Sequence, residues 1–139
     1  RVVVVDTQIR SRVPQVQDLL DLPGVEVEVW DHHPTPYSGE KNKVINADVT
    51  HIGTTGSTCT LICQALQERG ITPACQEATF LGLGIYGDTG AFTYTSTKPE
   101  DFLAGAWLRQ HGMDLPLTAI TVDECARAIF QALHGAEGK

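Results

Sequence analysis

The chain has 139 residues, of which 42% are apolar and 19% charged, and its formal net charge is −7. These values fit one soluble globular domain, read as residues 1–139, large enough to bury a real core. They exclude a membrane-spanning helix, which needs about 18 consecutive apolar residues, and they do not advertise the basic face that a nucleic-acid binder usually carries.

Four cysteines, Cys59, Cys63, Cys75 and Cys125, form no CxxC pair. They read as small buried hydrophobes of a reducing compartment, so a cytoplasmic protein is expected. The start at Arg1 shows no charged leader with a cleavage site, so no signal peptide is read, and without an initiator Met the sequence looks cut from something longer.

Taken in order, Val2 to Val5 is a continuous β-branched run ending at Asp6, the pattern of a parallel strand covered on both faces. Pro14 opens a short amphipathic helix to Leu20, with Val13, Val16, Leu19 and Leu20 inward, and Pro23-Gly24 breaks it. Val25, Val27 and Val29 alternate with Glu26 and Glu28 and lead through Trp30 to Asp31, a second strand ending on aspartate. Residues 34–47 are loop-like, with a short strand possible over Val44 to Ala47.

Gly53-Thr54-Thr55-Gly56-Ser57 predicts a helix entry with hydroxyls available as caps, and the helix runs to Arg69 before Gly70. An apolar helix follows Pro73 and ends near Gly87; Asp88-Thr89-Gly90 reads as a turn and Ala91 to Thr95 as a short extended piece. Ser96-Thr97 before Pro99-Glu100 starts a helix to about Gln110, stopped by Gly112. A last helix spans about Val122 to Leu133, capped by Thr121 with Glu124 as its capping-box partner. Strands alternating with helices predict an α/β fold.

Two strands ending in aspartate place chemistry at one sheet edge, because ligands of open α/β sheets bind at the carboxyl ends of the strands. Asp6 and Asp31-His32-His33 would emerge there, and Asp88 would join them from a third element. Carboxylates with imidazoles suit divalent ions of the manganese, magnesium or zinc kind, and two such ions can clamp a phosphoryl group. Each residue has a plainer alternative. An aspartate at a strand end is often a turn former or a cap, and Asp88 between glycines could be a turn. His51 could join the site or sit in a loop. His111 and His134 near helix C-termini are explained by the helix dipole, and Trp30, Trp107 and Phe80 read as core.

With these residues the sequence resembles the DHH phosphoesterase superfamily, which includes single-strand exonucleases, oligoribonucleases, exopolyphosphatases, cyclic-dinucleotide phosphodiesterases and manganese-dependent pyrophosphatases. The resemblance runs through Val3-Val4-Val5-Asp6, Asp31-His32-His33-Pro34, Gly56-Ser57-Thr58 and Leu83-Gly84-Ile85-Tyr86-Gly87-Asp88-Thr89-Gly90-Ala91-Phe92-Thr93-Tyr94. It implies a parallel-sheet, three-layer α/β domain that binds a divalent metal, Mn2+ or else Mg2+. Asp6 would bridge two metal ions, and His32 and Asp88 would be ligands of one of them. Asp31 would orient the neighbouring imidazole, and His33 would meet the substrate phosphate as donor or acid.

The superfamily's first motif, His-x-Asp-x-Asp, and its glycine-rich second lobe have no counterpart here, so the resemblance implies an incomplete domain that alone holds one metal at most and is inactive. Gln76 to Tyr86 and Thr95 to Asp101, continued through Phe102 to Leu115, look like the DHH domain fused to CBS domains and a poly(A) polymerase or tRNA nucleotidyltransferase domain in some bacterial proteins. The expected activity is hydrolysis of a phosphodiester or phosphoanhydride of RNA or a nucleotide, with an RNA 3′ end or single strand as partner, further domains covalently linked, no membrane, and homo-oligomerisation left open. The alternative is a non-catalytic nucleotide- or RNA-end-binding module of the same protein.

Overall fold

A computed structural model describes residues 1–34 and 43–118. Three parallel strands form one sheet in the order β1 (Val2–Val5), β2 (Val27–Asp31), β3 (Val49–Ile52). The register pairs Val4 with Val29 and Trp30 with His51, so β1 and β2 end side by side. The two aspartates therefore leave the sheet at one edge, as their places in the sequence require.

One face of the sheet is covered by the segment between β1 and β2. There Pro14–Val16 forms a 3-10 turn that runs into the single-turn helix α1 (Gln17–Leu20). Leu20 packs with Val4, Val27, Val29 and Ile45 in one apolar cluster, with Val13 at its margin. Leu19, expected to point inward, is exposed. A helix of one turn has no second turn on which to build an amphipathic stripe, so periodicity over so short a stretch does not fix its inner face.

The other face carries Val3, Val5, Glu28 and Trp30 and looks toward α2 (Thr58–Glu68) across a groove of about 360 Å³ that also includes Ile62 and Leu66. Val3 and Val5 are each 52% exposed among the described residues, so β1 is not covered on both faces as its apolar run suggested. Glu28 is buried against the sheet and is matched there by the Trp30 indole N–H at 2.7 Å, by His51 and by Arg1.

Helices α2, α3 (Cys75–Thr89) and α4 (Pro99–Gln110) pack around a second cluster in which Cys63, Ala78, Ile85, Ala104, Leu108 and Met113 are buried. Trp107 joins its margin, but Phe80 is 72% exposed and is not core. Gly82 and Gly84 permit the close approach of the neighbours: an added Cβ at Gly84 would meet the Cys59 sulfur, and one at Gly82 the Met113 sulfur.

Two local readings change. Val44 makes an isolated bridge to Ile9 in place of a strand over 44–47, and the third strand lies further on, at Val49–Ile52. Residues Ala91 and Phe92 are not extended; with Gly90 they take left-handed dihedrals and close α3 as a tight turn. The helix expected over Val122 to Leu133, Cys125 and His134 lie outside the described residues.

Candidate metal centre

The end of β1 is built for a sharp exit. Asp6 has φ 65°, a left-handed conformation that short polar side chains tolerate better than most, while its N–H still bonds the Trp30 carbonyl at 2.8 Å. The turn presents the Asp6 carboxylate to the end of β2, where one oxygen lies 3.5 Å from His32 Nε2. Asp88 approaches the same nitrogen from the helical layer, at 4.0 Å.

Asp88 belongs to the last turn of α3, not to a turn following it. The helical ladder passes through Gly87 and Asp88 and is closed by left-handed Gly90, after which the Ala91 N–H reaches back to the Tyr86 carbonyl at 2.8 Å. A glycine just past the helix end is the usual means of such closure, and it moves the helix boundary beyond the Gly-Asp-Thr-Gly stretch.

The ring of His32 is fixed by its other nitrogen. Nδ1 lies 3.2 Å from the carbonyl oxygen of Thr55. A carbonyl can only accept, so Nδ1 carries the proton, and the lone pair of the neutral ring sits on Nε2, facing Asp6 and Asp88. His33 is held similarly by a side chain: its Nδ1 is 2.7 Å from Asp31 Oδ1. Asp31 is buried, and the same oxygen also accepts the backbone N–H of His32 at 2.9 Å. Burial by itself would raise the Asp31 carboxyl, but the hydrogen bonds from His33 and Gln8 outweigh it and hold the group below the usual carboxylate range.

The entry to α2 supports the carboxylates. Ser57 caps the helix by accepting the Cys59 N–H at 3.1 Å and hydrogen-bonds Asp88, and the Thr58 hydroxyl donates to Asp6 at 2.9 Å. Asp88 titrates above the ordinary carboxylate range. Burial is the main cause and repulsion from Asp6 adds to it, against the Ser57 hydrogen bond and the two imidazoles. Among the described residues, His32 Nε2 is the ring nitrogen that faces both carboxylates. Two carboxylates crowding one imidazole lone pair are the donor set of a divalent-cation site.

All five residues singled out from the sequence are thus brought to one place. Asp6, His32 and His33 each offer a ligand atom within 4.8 Å of the others, so His33, which the sequence assigns to the substrate, also stands within ligand reach of the cluster. His51 does not join them. It stacks on Trp30, ring centroids 3.8 Å apart, and bonds Glu28 at 3.0 Å. His111 caps the end of α4 and reaches the Trp107 carbonyl at 2.8 Å. Sequence reasoning did not single out Gln8, the Thr55 carbonyl, or Ser57 and Thr58 as site residues. The hydroxyl-rich entry is legible in the sequence as helix caps and as part of the resemblance, without a role for either hydroxyl beside a carboxylate.

No family model matches the sequence. The chain is 40% identical over 124 residues to the A-adding tRNA nucleotidyltransferase of Geobacter sulfurreducens, covering 89% of this chain and 14% of that protein. It is 31% identical over 124 residues to a Streptococcus mutans protein named "Probable bifunctional oligoribonuclease and PAP phosphatase NrnA", covering 88% of this chain and 36% of the other. Among solved structures, an exopolyphosphatase-related protein from Bacteroides fragilis shares the fold with a TM-score of 0.70 at 23% identity, over 86% of this chain and 35% of that one.

The chain is a DHH-superfamily domain. The likeness to the exopolyphosphatase-related structure carries the fold, and the two sequence relatives fall in the groups that the Asp6, Asp31-His32-His33 and Asp88 motifs resemble. The DHH domain spans between a seventh and about a third of the length of these relatives, and it is of the phosphoesterase family.

One thiol of the DHH domain borders the cluster. Burial pushes the Cys59 thiol up to about 11 despite the Ser57 hydrogen bond, and the charges of Asp88 and Asp6 contribute. Burial pushes Cys63 up to about 12, with Cys59 adding to it. Cys75 is exposed. A thiol reagent applied to the folded protein near pH 8 is therefore expected to modify Cys75 rapidly, and Cys59 and Cys63 only on unfolding. Peptide mapping by mass spectrometry checks this, and labelling of Cys63 as fast as Cys75 would contradict the packing of α2 on α3.

Proposed function

We propose that this chain supplies metal ligands and a proton-handling histidine to a divalent-metal-dependent phosphoesterase. Its substrate is a phosphodiester or phosphoanhydride bond of RNA or a nucleotide. The host protein is larger and related to tRNA nucleotidyltransferases. The observation that carries the reading is the fixed tautomer of His32. Its Nδ1–H is committed to Thr55, so the Nε2 lone pair is directed at two carboxylates drawn from different elements.

The residues fit a divalent cation. Two facing carboxylates repel each other, one of them is held above its usual range partly by that repulsion, and a neutral imidazole completes a mixed oxygen and nitrogen set. Asp6, His32 and Asp88 would hold the ion, with Mn2+ the expected metal and Mg2+ the alternative. When bound it would supply charge stabilisation to a phosphoryl group. The carboxylates of Asp6 and Asp88 keep the hydroxyls of Thr58 and Ser57 as partners, which aim them without neutralising them.

His33 acts on the substrate side. Its Nδ1–H is taken by buried Asp31, so Nε2 is the nitrogen free to donate to a phosphate oxygen or to the leaving group, and the Asp31 charge stabilises the protonated ring. The names of the sequence relatives, a tRNA nucleotidyltransferase and an oligoribonuclease, support RNA or a nucleotide as the substrate class.

The test is hydrolysis of bis(p-nitrophenyl) phosphate, a short oligoribonucleotide and pyrophosphate by the intact protein with manganese. Turnover is expected on at least one, reduced about 100-fold or more in His33→Ala, the scale of general acid–base assistance. Absence of turnover on all three with bound metal would refute the catalytic reading. Nucleotide binding without turnover that survives Asp6→Ala and Asp88→Ala would instead support a non-catalytic module.

A further inference from the structure

We infer that Gln8 is a positioning residue for His33, acting through Asp31; the inference rests on the role given to His33 above.

Gln8 is buried just past the left-handed turn at Asp6, and its own carbonyl accepts the Ile45 N–H at 2.8 Å. Its side-chain nitrogen has two protons and two acceptors. It lies 3.0 Å from Asp31 Oδ2 and 3.0 Å from the carbonyl oxygen of His33. One amide therefore grips the DHH triplet at both ends, by the side chain of its first residue and the main chain of its last.

The consequence falls on the Asp31 carboxylate. Oδ1 accepts the His33 ring proton at 2.7 Å and two backbone N–H groups, from His32 at 2.9 Å and His33 at 3.3 Å, while Oδ2 accepts from Gln8. Buried and bonded on both oxygens, the carboxylate cannot exchange them by rotation, and Oδ1 stays on His33 Nδ1. Without the amide, Oδ2 would be a buried charged acceptor lacking its partner, and the carboxylate would gain by turning or by admitting water. The His33 ring would then lose its single orientation and tautomer. A residue that merely filled space would serve the core equally well. Glutamine at this position meets a carboxylate and a carbonyl, which both need donors, with an uncharged amide that offers two from one atom at a reach one methylene longer than asparagine's.

The test compares Gln8→Met, which keeps the length and volume but has no donor, with Gln8→Asn, whose amide is one methylene short and which keeps the variant set usable should the methionine protein fold poorly. In the metal-free intact protein, 15N spectra of the imidazoles are expected to show His33 as the Nδ1–H tautomer in the wild type and a tautomer mixture in both variants. With manganese and a phosphodiester, kcat is expected to fall about 10–100-fold with KM changed less than threefold, the scale seen when supporting partners of site residues are lost. A lowered melting temperature with the His33 tautomer and kcat of the wild type would overturn the inference and leave Gln8 a packing residue. If the wild-type protein hydrolyses nothing, the proposed function falls, while the imidazole spectra still decide whether Gln8 holds the ring.

Discussion

Asp101→Ala is expected to destabilise the protein by about 3–5 kcal/mol, among the largest effects of any single substitution outside the metal centre. Asp101 is fully buried at the start of α4. Its oxygens accept the Gly56 N–H at 3.1 and 2.9 Å, the Thr60 hydroxyl at 2.6 Å and the Lys98 N–H at 2.7 Å. Alanine leaves three donors with no acceptor, each worth about 1–3 kcal/mol when buried, less whatever water recovers. An independent probe lies on the other side of the same contact. A Cβ on Gly56 would run into Asp101 Oδ2 and stand 3.0 Å from the Thr89 side chain, so Gly56→Ala must displace the carboxylate. Chemical denaturation of the two single variants and the double variant is the measurement. The two losses should be well short of additive, because both break one junction. Additive losses, or Asp101→Ala within about 1 kcal/mol of wild type, would mean that the carboxylate does not tie α4 to the entry of α2.

That junction shows where the sequence was legible and where it was not. The strands ending in Asp6 and Asp31 could be read because β-branched runs carry their own local signal, and their parallel pairing then followed from the helical segment between them. β3 could not: Val-Thr-His-Ile is short and mostly exposed, with no clean alternation, and only its register beside Trp30 and Asp31 makes it a strand. Phe80 reads as core because large aromatic side chains usually bury, but α3 is apolar nearly all round, and such a helix does not disclose which side its neighbours take. The motif around Asp88 places it at the cluster but reads as a turn, because the glycine that ends α3 comes two residues later. The supporting shell was least visible. Thr58 meets Asp6 across 52 residues and Gly56 meets Asp101 across 45, separations over which no spacing rule operates. Glutamine and threonine become site residues only through what the fold sets beside them.

His32→Ala is expected to abolish most of the stabilisation that manganese gives the intact protein. A ligand that binds the folded state alone stabilises it in proportion to the logarithm of its concentration over Kd, about 2.7 kcal/mol at one hundred times Kd. Removing the one imidazole that Thr55 aims at both Asp6 and Asp88 takes away a ligand and leaves two carboxylates facing each other. The manganese-dependent rise in melting temperature should then shrink to a small residue supported by Asp6 and Asp88, while the metal-free variant is lowered only by the loss of the ring and its Nδ1–H bond to Thr55, about 1–3 kcal/mol, so the readout is the metal-dependent difference. His51→Ala is the matched control, since its ring lies against Trp30 and Glu28 and its loss should leave the manganese response as in the wild type. Equal responses in wild type and His32→Ala would sink the assignment of His32 as a ligand, and with it the half-site built from the ends of β1, β2 and α3. A response lost in both variants would point instead to the sheet as a whole, because His51 reaches the cluster only through the Trp30 to Asp31 pairing of β2 with β3.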